Sequence, residues 1–159
     1  MSIEASELRR VMGHFVTGVA VVAARTREGR LCGLTANAVT SLSLDPPLVL
    51  VCVDLSADSH ACIREAGAFS LNVLASDQER LARRFSSWDL EDKFAGVAHH
   101  SRVTGAPVLD DALAWADCRV WAVYPGGDHT IYVGQVEAGD AREGTPLLYY
   151  RGGYGRFVP

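Results

Sequence analysis

The sequence lacks the features that would assign it to several large functional classes. It has no basic excess: 15 Lys and Arg stand against 19 Asp and Glu, a formal net charge of -4. That balance argues against a nucleic-acid backbone as partner, which calls for a basic surface. It leaves room for a single phosphate, because one local cation or a few backbone amides can hold one on an acidic protein. No apolar run reaches the ~18 residues of a membrane span. The opening Met1-Ser2-Ile3-Glu4-Ala5-Ser6-Glu7 is polar and acidic, unlike a signal or transit peptide. The four cysteines (Cys32, Cys52, Cys62 and Cys118) show no Cys-x-x-Cys spacing, which argues against a zinc site or a thioredoxin-like motif. Cys52 and Cys118 fall inside apolar runs and read as core packing. A cytoplasmic protein with reduced thiols is the simplest expectation.

Two nucleotide signatures are also missing. No Gly-x-Gly-x-x-Gly opens a helix after a strand, so a Rossmann dinucleotide site is not indicated. No phosphate-loop Lys-Ser/Thr motif occurs. His99 and His100 are adjacent rather than one helical turn apart, and no cysteine lies nearby; they read as a loop pair, and no metal is expected.

What the chain does have is ordinary globular composition, 48% hydrophobic and 21% charged, over 159 residues. No repeat, linker or low-complexity segment divides it, so residues 1–159 read as one domain. Leu8, Val11, Met12 and Phe15 recur at helical spacing, predicting a helix over Ser6 to Phe15. Thr17 to Ala24 and Leu31 to Leu34, joined by Arg27-Glu28-Gly29-Arg30, predict a hairpin. Asp45-Pro46-Pro47 breaks the chain, and Leu48 to Val53 reads as a strand covered on both faces. Ser59 to Glu65 predicts a helix stopped at Gly67, and Phe69 to Leu74 an alternating, half-buried strand. Ser76 and Glu79 have the spacing of a capping box for the next helix, which ends near Phe85-Ser86-Ser87. Trp88 to Leu109 reads as loop; Ala116 to Tyr124 and Thr130 to Val136 as strands around a Pro125-Gly126-Gly127-Asp128 turn. Many short strands without βαβ alternation predict a mainly β protein with flanking helices: a closed antiparallel, Greek-key-like barrel.

One stretch invites a functional reading. Between two apolar strands run Gly33-Leu34-Thr35-Ala36-Asn37-Ala38-Val39-Thr40-Ser41-Leu42-Ser43, in which hydroxyls and one amide alternate with small residues. Such a segment lets a flat ligand approach the backbone closely. It is equally consistent with a strand carrying Ser/Thr cross-pairs.

The successive blocks Thr17-Gly18-Val19-Ala20-Val21-Val22, Gly33-Leu34-Thr35-Ala36-Asn37, Ser41 to Val49 and Phe69-Ser70-Leu71-Asn72-Val73-Leu74 resemble those of the flavin reductase family. So do Arg84-Phe85, Asp92-Lys93-Phe94, Gly127-Asp128-His129 and Gly152-Gly153-Tyr154-Gly155, in the family's order along nearly the whole chain. The resemblance implies a flavin-binding split β-barrel, commonly a homodimer, that uses NADH or NADPH to reduce FAD or FMN. Many such proteins pass the reduced flavin to a separate partner monooxygenase. A reductase or oxidase of an organic substrate that keeps its flavin, or a non-catalytic flavin-binding protein, are the alternatives.

On this resemblance Thr35, Ala36, Asn37 and Ala38 lie along the isoalloxazine and ribityl. Cys52, Val53, Asp54 and Ser56 close one side, and the hydroxyls of Ser41, Ser56 and Ser59 face the phosphate or ribityl. Many relatives carry Arg or Lys where Leu55 stands, so the phosphate's cation is expected from Arg84 or Lys93. Phe85 and Phe94 are expected against the flavin rings, and Tyr154 over the nicotinamide. His129 is the residue expected beside the nicotinamide, as a hydrogen-bond donor whose charge responds near neutral pH. The cofactors carry the hydride chemistry; the protein holds the two rings at roughly 3–3.5 Å and stabilises charge developing on the flavin.

Overall fold

A computed structural model describes residues 1–159. In chain order the elements are α1 (Ala5–Met12), β1 (Thr17–Gly18), β2 (Ala20–Arg25), β3 (Leu31–Ala36), β4 (Val39–Leu44) and β5 (Pro47–Asp54). These are followed by α2 (Asp58–Ala66), β6 (Ala68–Val73), α3 (Glu79–Phe85), β7 (His99–Ser101) and β8 (Pro107–Leu109). The chain closes with β9 (Ala114–Gly126), β10 (His129–Ala141), β11 (Leu147–Tyr150) and β12 (Gly153–Arg156).

Seven strands form one antiparallel sheet in the order β3-β2-β6-β9-β10-β5-β4. Its two edge strands, β3 and β4, are consecutive in sequence and separated only by Asn37 and Ala38. Seven flat strands would hold those edges roughly 29 Å apart. A two-residue link reaches only roughly 11 Å. The sheet therefore has to curl until its edges meet, and the closure is a barrel with a seam between β3 and the β4–β5 hairpin. The Cys52 amide donates to the Ala38 carbonyl at 3.0 Å, which carries the β4–β5 ladder one residue into the link. A small second sheet, β1-β11-β12, lies beside the barrel.

The interior holds two apolar clusters. One gathers Val22, Val51, Val53, Ile63, Phe69 and Tyr132 inside the barrel under α2. The other packs Val21, Leu74, Phe85, Phe94 and Leu109 beneath α3. Because both faces of β2 and β6 are covered, their residues are buried nearly without alternation, so β6 is not the half-buried strand its pattern predicts. Its inward polar groups are satisfied. Asn72 donates to the Val21 carbonyl at 3.1 Å and accepts from the Leu109 amide at 2.9 Å, while the Ser70 hydroxyl donates to the Pro107 carbonyl.

Several expectations are corrected. The Ser76–Glu79 capping box does not form: Ser76 pairs with the Thr145 hydroxyl at 2.8 Å, and α3 begins after Gln78 with no side-chain cap. A long-range hydroxyl partner has outcompeted the local one. Strand β5 is not covered on both faces, since Leu50 and Cys52 stay partly open where Val51 and Val53 are buried. The helix α1 buries none of its residues, leaving Leu8, Val11 and Met12 outside. The stretch read as loop contains the β7–β8 hairpin, with His100 Nδ1 on the Asp110 carboxylate at 2.6 Å. The thiols are not all free: Cys32 on β3 is bonded to Cys62 on α2, leaving Cys52 and Cys118 as thiols. Two cysteines 30 residues apart in sequence carry no local signal of this pairing.

Candidate functional site

The open edge of β3 is one wall of a groove along the barrel seam. Strand β3 pairs only with β2, so the outer side of its backbone has no strand partner. Two adjoining cavities of about 210 and 180 Å³ share Thr35 and Ser86. The smaller is closed by Asn37, Val19, Tyr149 and Tyr154. The larger is closed by Asp54 at the end of β5, by Ala57, Asp58 and Ser59 at the start of α2, and by Phe85, Trp88 and Lys93.

A corner of interlocked side chains sets the wall opposite β3. A Cβ on Gly33 would sit 2.8 Å from the Phe85 ring, so only glycine lets α3 approach β3 this closely. Phe85 is fully buried and meets Phe94 edge to face at 4.9 Å. The Lys93 ammonium donates to the carbonyls of Gly33 and Phe85 at 3.1 and 3.0 Å, tying the corner to β3. Burial lowers the Lys93 pKa, and Asp58 nearby partly offsets the shift. The Thr35 hydroxyl donates to the Ala82 carbonyl at 2.6 Å, which leaves its backbone, not its side chain, to face the groove. At the aromatic end Arg83 stacks over Tyr154 at 5.0 Å and is itself held by Glu79 at 2.8 Å.

The other side is a hairpin tip. His129 opens β10 and pairs in register with Asp54 on β5, which places it on the rim next to the larger cavity. Its Nδ1 contacts the Asp128 carboxylate at 2.7 Å, leaving Nε2 outward. The ring lines a third, open cavity of about 480 Å³ with Leu55, Arg64, Tyr124 and Pro125. Asp54 is held below the usual carboxylate pKa by the amide and hydroxyl of Ser56, with a smaller contribution from His129. The ring of His60 bonds the Thr130 hydroxyl at 2.7 Å and fixes α2 against this hairpin.

The structure thus brings Thr35, Ala36, Asn37, Asp54, Ser59, Phe85, Lys93 and Tyr154 to the groove. Other expected residues sit elsewhere. Arg84 spends its guanidinium on the carbonyls of Lys93 and Asp92, at 2.6 and 2.9 Å, and lines neither cavity. Phe94 is a buried support behind Phe85. Val53 is wholly inside the barrel, and Cys52 is half-buried with its thiol pKa raised by burial. The Ser56 hydroxyl is taken by Asp54 at 2.7 Å, and Ser41 is exposed on β4. Ala38 extends the β4–β5 ladder through its carbonyl. Sequence reasoning did not single out Asp58, Ser86, Ser87, Trp88 or Tyr149. The serine pair just past α3 was the one readable sign, as hydroxyls at a helix end.

The flavin reductase like domain matches residues 12–157. The chain belongs to this family. Among its relatives is the reductase component of the 4-nitrophenol 4-monooxygenase/4-nitrocatechol 2-monooxygenase of Rhodococcus opacus, 46% identical over 157 residues, or 99% of this chain and 83% of that protein. An NADH-dependent flavin reductase of Rhodococcus sp. is 41% identical over 92% of this chain and 83% of its own length. The NADH:FAD oxidoreductase of Streptomyces globisporus, solved with NAD and FAD fragments, superposes with a TM-score of 0.90 at 38% identity, covering 98% of this chain and 94% of that one. The split-barrel architecture is the one flavin reductases of known structure share.

Proposed function

We propose that the protein is an NADH-dependent flavin reductase that delivers reduced FAD or FMN to a separate monooxygenase, with its flavin along the β3 edge. The observation that carries the siting is that unpaired edge, facing a groove with aromatic side chains at one end and a half-buried ammonium at the other. The donor set suits the ligand. Backbone groups of β3 and the Asn37 amide match the mixed donor and acceptor edge of an isoalloxazine. Tyr149 and Tyr154 offer ring faces, and Ser59, Ser86, Ser87 and Lys93 offer donors toward a ribityl phosphate.

The bound nucleotides supply a hydride that passes from nicotinamide C4 to flavin N5. The chain's part is to hold and orient. His129, aligned by Asp128, stands on the rim where an incoming nicotinamide nucleotide meets the flavin groove. With Nδ1–H given to Asp128, neutral His129 presents an acceptor at Nε2; protonation turns that atom into a donor. The relatives' names favour NADH over NADPH and include both FAD and FMN reductases.

A homodimer is part of this reading. The side chains of Leu8, Val11, Met12 and Phe15, with Leu42 and Leu44 on β4 and Trp121 and Val123 on β9, are exposed apolar groups that a second copy of the chain would cover. Sedimentation equilibrium tests it. The reaction is placed in the cytoplasm, where NADH is regenerated.

The deciding experiment follows NADH and NADPH at 340 nm with FAD, FMN or no added flavin, using protein stripped of flavin. Turnover that requires added flavin and saturates with it is expected. Turnover that needs a third organic compound, with a flavin that never exchanges, would overturn it.

A further inference from the structure

The groove carries an electrostatic asymmetry that the oxidoreductase activity does not by itself require. Three ionisable side chains line its larger cavity: Asp54, Asp58 and Lys93. Two are anionic and one is cationic. The smaller cavity adds no charge. The one cation is already engaged, with two hydrogens of the Lys93 ammonium given to carbonyls. The amides that open α2 would ordinarily welcome a phosphate. Here the first helical residue is Asp58, whose exposed carboxylate sits at that helix end and lines the same cavity. It makes no hydrogen bond or ion pair that would neutralise it, and it lies close enough to Lys93 to hold up the ammonium's affinity for its proton.

We infer that Asp58 is a specificity-determining residue that weakens the grip on the flavin's phosphate, so that the groove binds flavins chiefly by ring and ribityl and releases the phosphorylated forms readily. The inference rests on the reading that this groove holds flavin with its phosphate toward α2. In an open, salt-screened site a carboxylate that lines the phosphate end opposes binding by roughly three- to tenfold. Such a penalty suits a flavin that must leave to be used. It falls on FMN and FAD and spares riboflavin, which carries no phosphate.

The test is titration of stripped protein with riboflavin, FMN and FAD, followed by quenching of flavin fluorescence, for the wild type, Asp58→Asn, Asp58→Glu and Asn37→Ala. Asp58→Asn is expected to tighten FMN and FAD by roughly three- to tenfold while leaving riboflavin unchanged, and the gain should shrink as salt screens the charge. Asp58→Glu, which keeps the charge, should stay near wild type. Thermal melts check folding, and the variants are expected to melt near the wild type, since loss of an acidic first-turn residue removes only a small helix-end stabilisation. Equal tightening of all three flavins, or weakening of the phosphorylated ones, would overturn the inference. If Asn37→Ala weakens all three flavins while Asp58→Asn moves none, the inference falls and the groove stands. If neither variant moves any flavin, the siting of the flavin falls with it.

Discussion

The two sides of the groove are built by opposite means. On the α3 side Gly33, Phe85, Phe94 and Lys93 interlock, and the Lys93 and Arg84 side chains donate to backbone carbonyls. On the hairpin side Asp128 is almost wholly exposed, and His129 keeps one nitrogen free. The first arrangement fixes a shape and leaves little charge to spare. The second fixes no shape but presents a titratable group at the rim. On the proposed siting the comparison implies a division of labour: the packed wall would shape the ribityl-phosphate end of the groove, and the open tip would meet the incoming nucleotide.

That contrast can be broken most forcefully at the packed wall. Gly33→Val should press its side chain into the Phe85 ring and cost about 2–3 kcal/mol of stability, read by denaturant unfolding, with flavin binding lost alongside. At the tip, His129→Ala should leave stability within about 0.5 kcal/mol. It should raise the KM for NADH by roughly 10-fold or more, with flavin affinity unchanged. Steady-state kinetics beside a flavin titration separates the two, and an equal loss of both would erase the proposed division.

Lys93→Met is a finer probe. It leaves two carbonyls without their donor, and a loss of about 1–2 kcal/mol is expected. The pH dependence has a definite sign. Folding lowers the Lys93 pKa, so between that lowered value and the ordinary lysine value of 10.5 the unfolded chain binds more protons. Wild-type stability therefore gains a contribution as pH rises through that window, and the gain should vanish in Lys93→Met. The smallest effect is on labelling: Cys118, buried with its pKa pushed up to about 12 chiefly by desolvation, should resist iodoacetamide in the native protein and react on unfolding.

Much of the barrel was legible because strand patterns and turns are local. The β2–β3 hairpin and the paired strands β9 and β10 follow from alternation around Gly29 and Gly127. What escaped depends on contacts distant in sequence. Ser76 could not announce Thr145 as its partner, and Cys32 could not announce Cys62. The same holds for the site. Thr35 to Asn37 stood out as a polar run between apolar strands, and they do line the groove. The resemblance pointed to Arg84 as a phosphate cation because its charge is visible in sequence, whereas its use on the carbonyls of residues 92 and 93 is not. Asp58 became visible as part of the cavity only once α2 was placed across the seam.

The two-residue link between β3 and β4 gives that seam a mechanical meaning. A barrel whose edge strands β3 and β4 do not pair is a cask with one stave missing, and on the proposed siting a planar ligand along β3 would take the stave's place. Ligation should then act as hooping: amides of β3 and β4 that exchange with solvent in the bare protein should slow together when flavin enters, and speed up again once the reduced product departs.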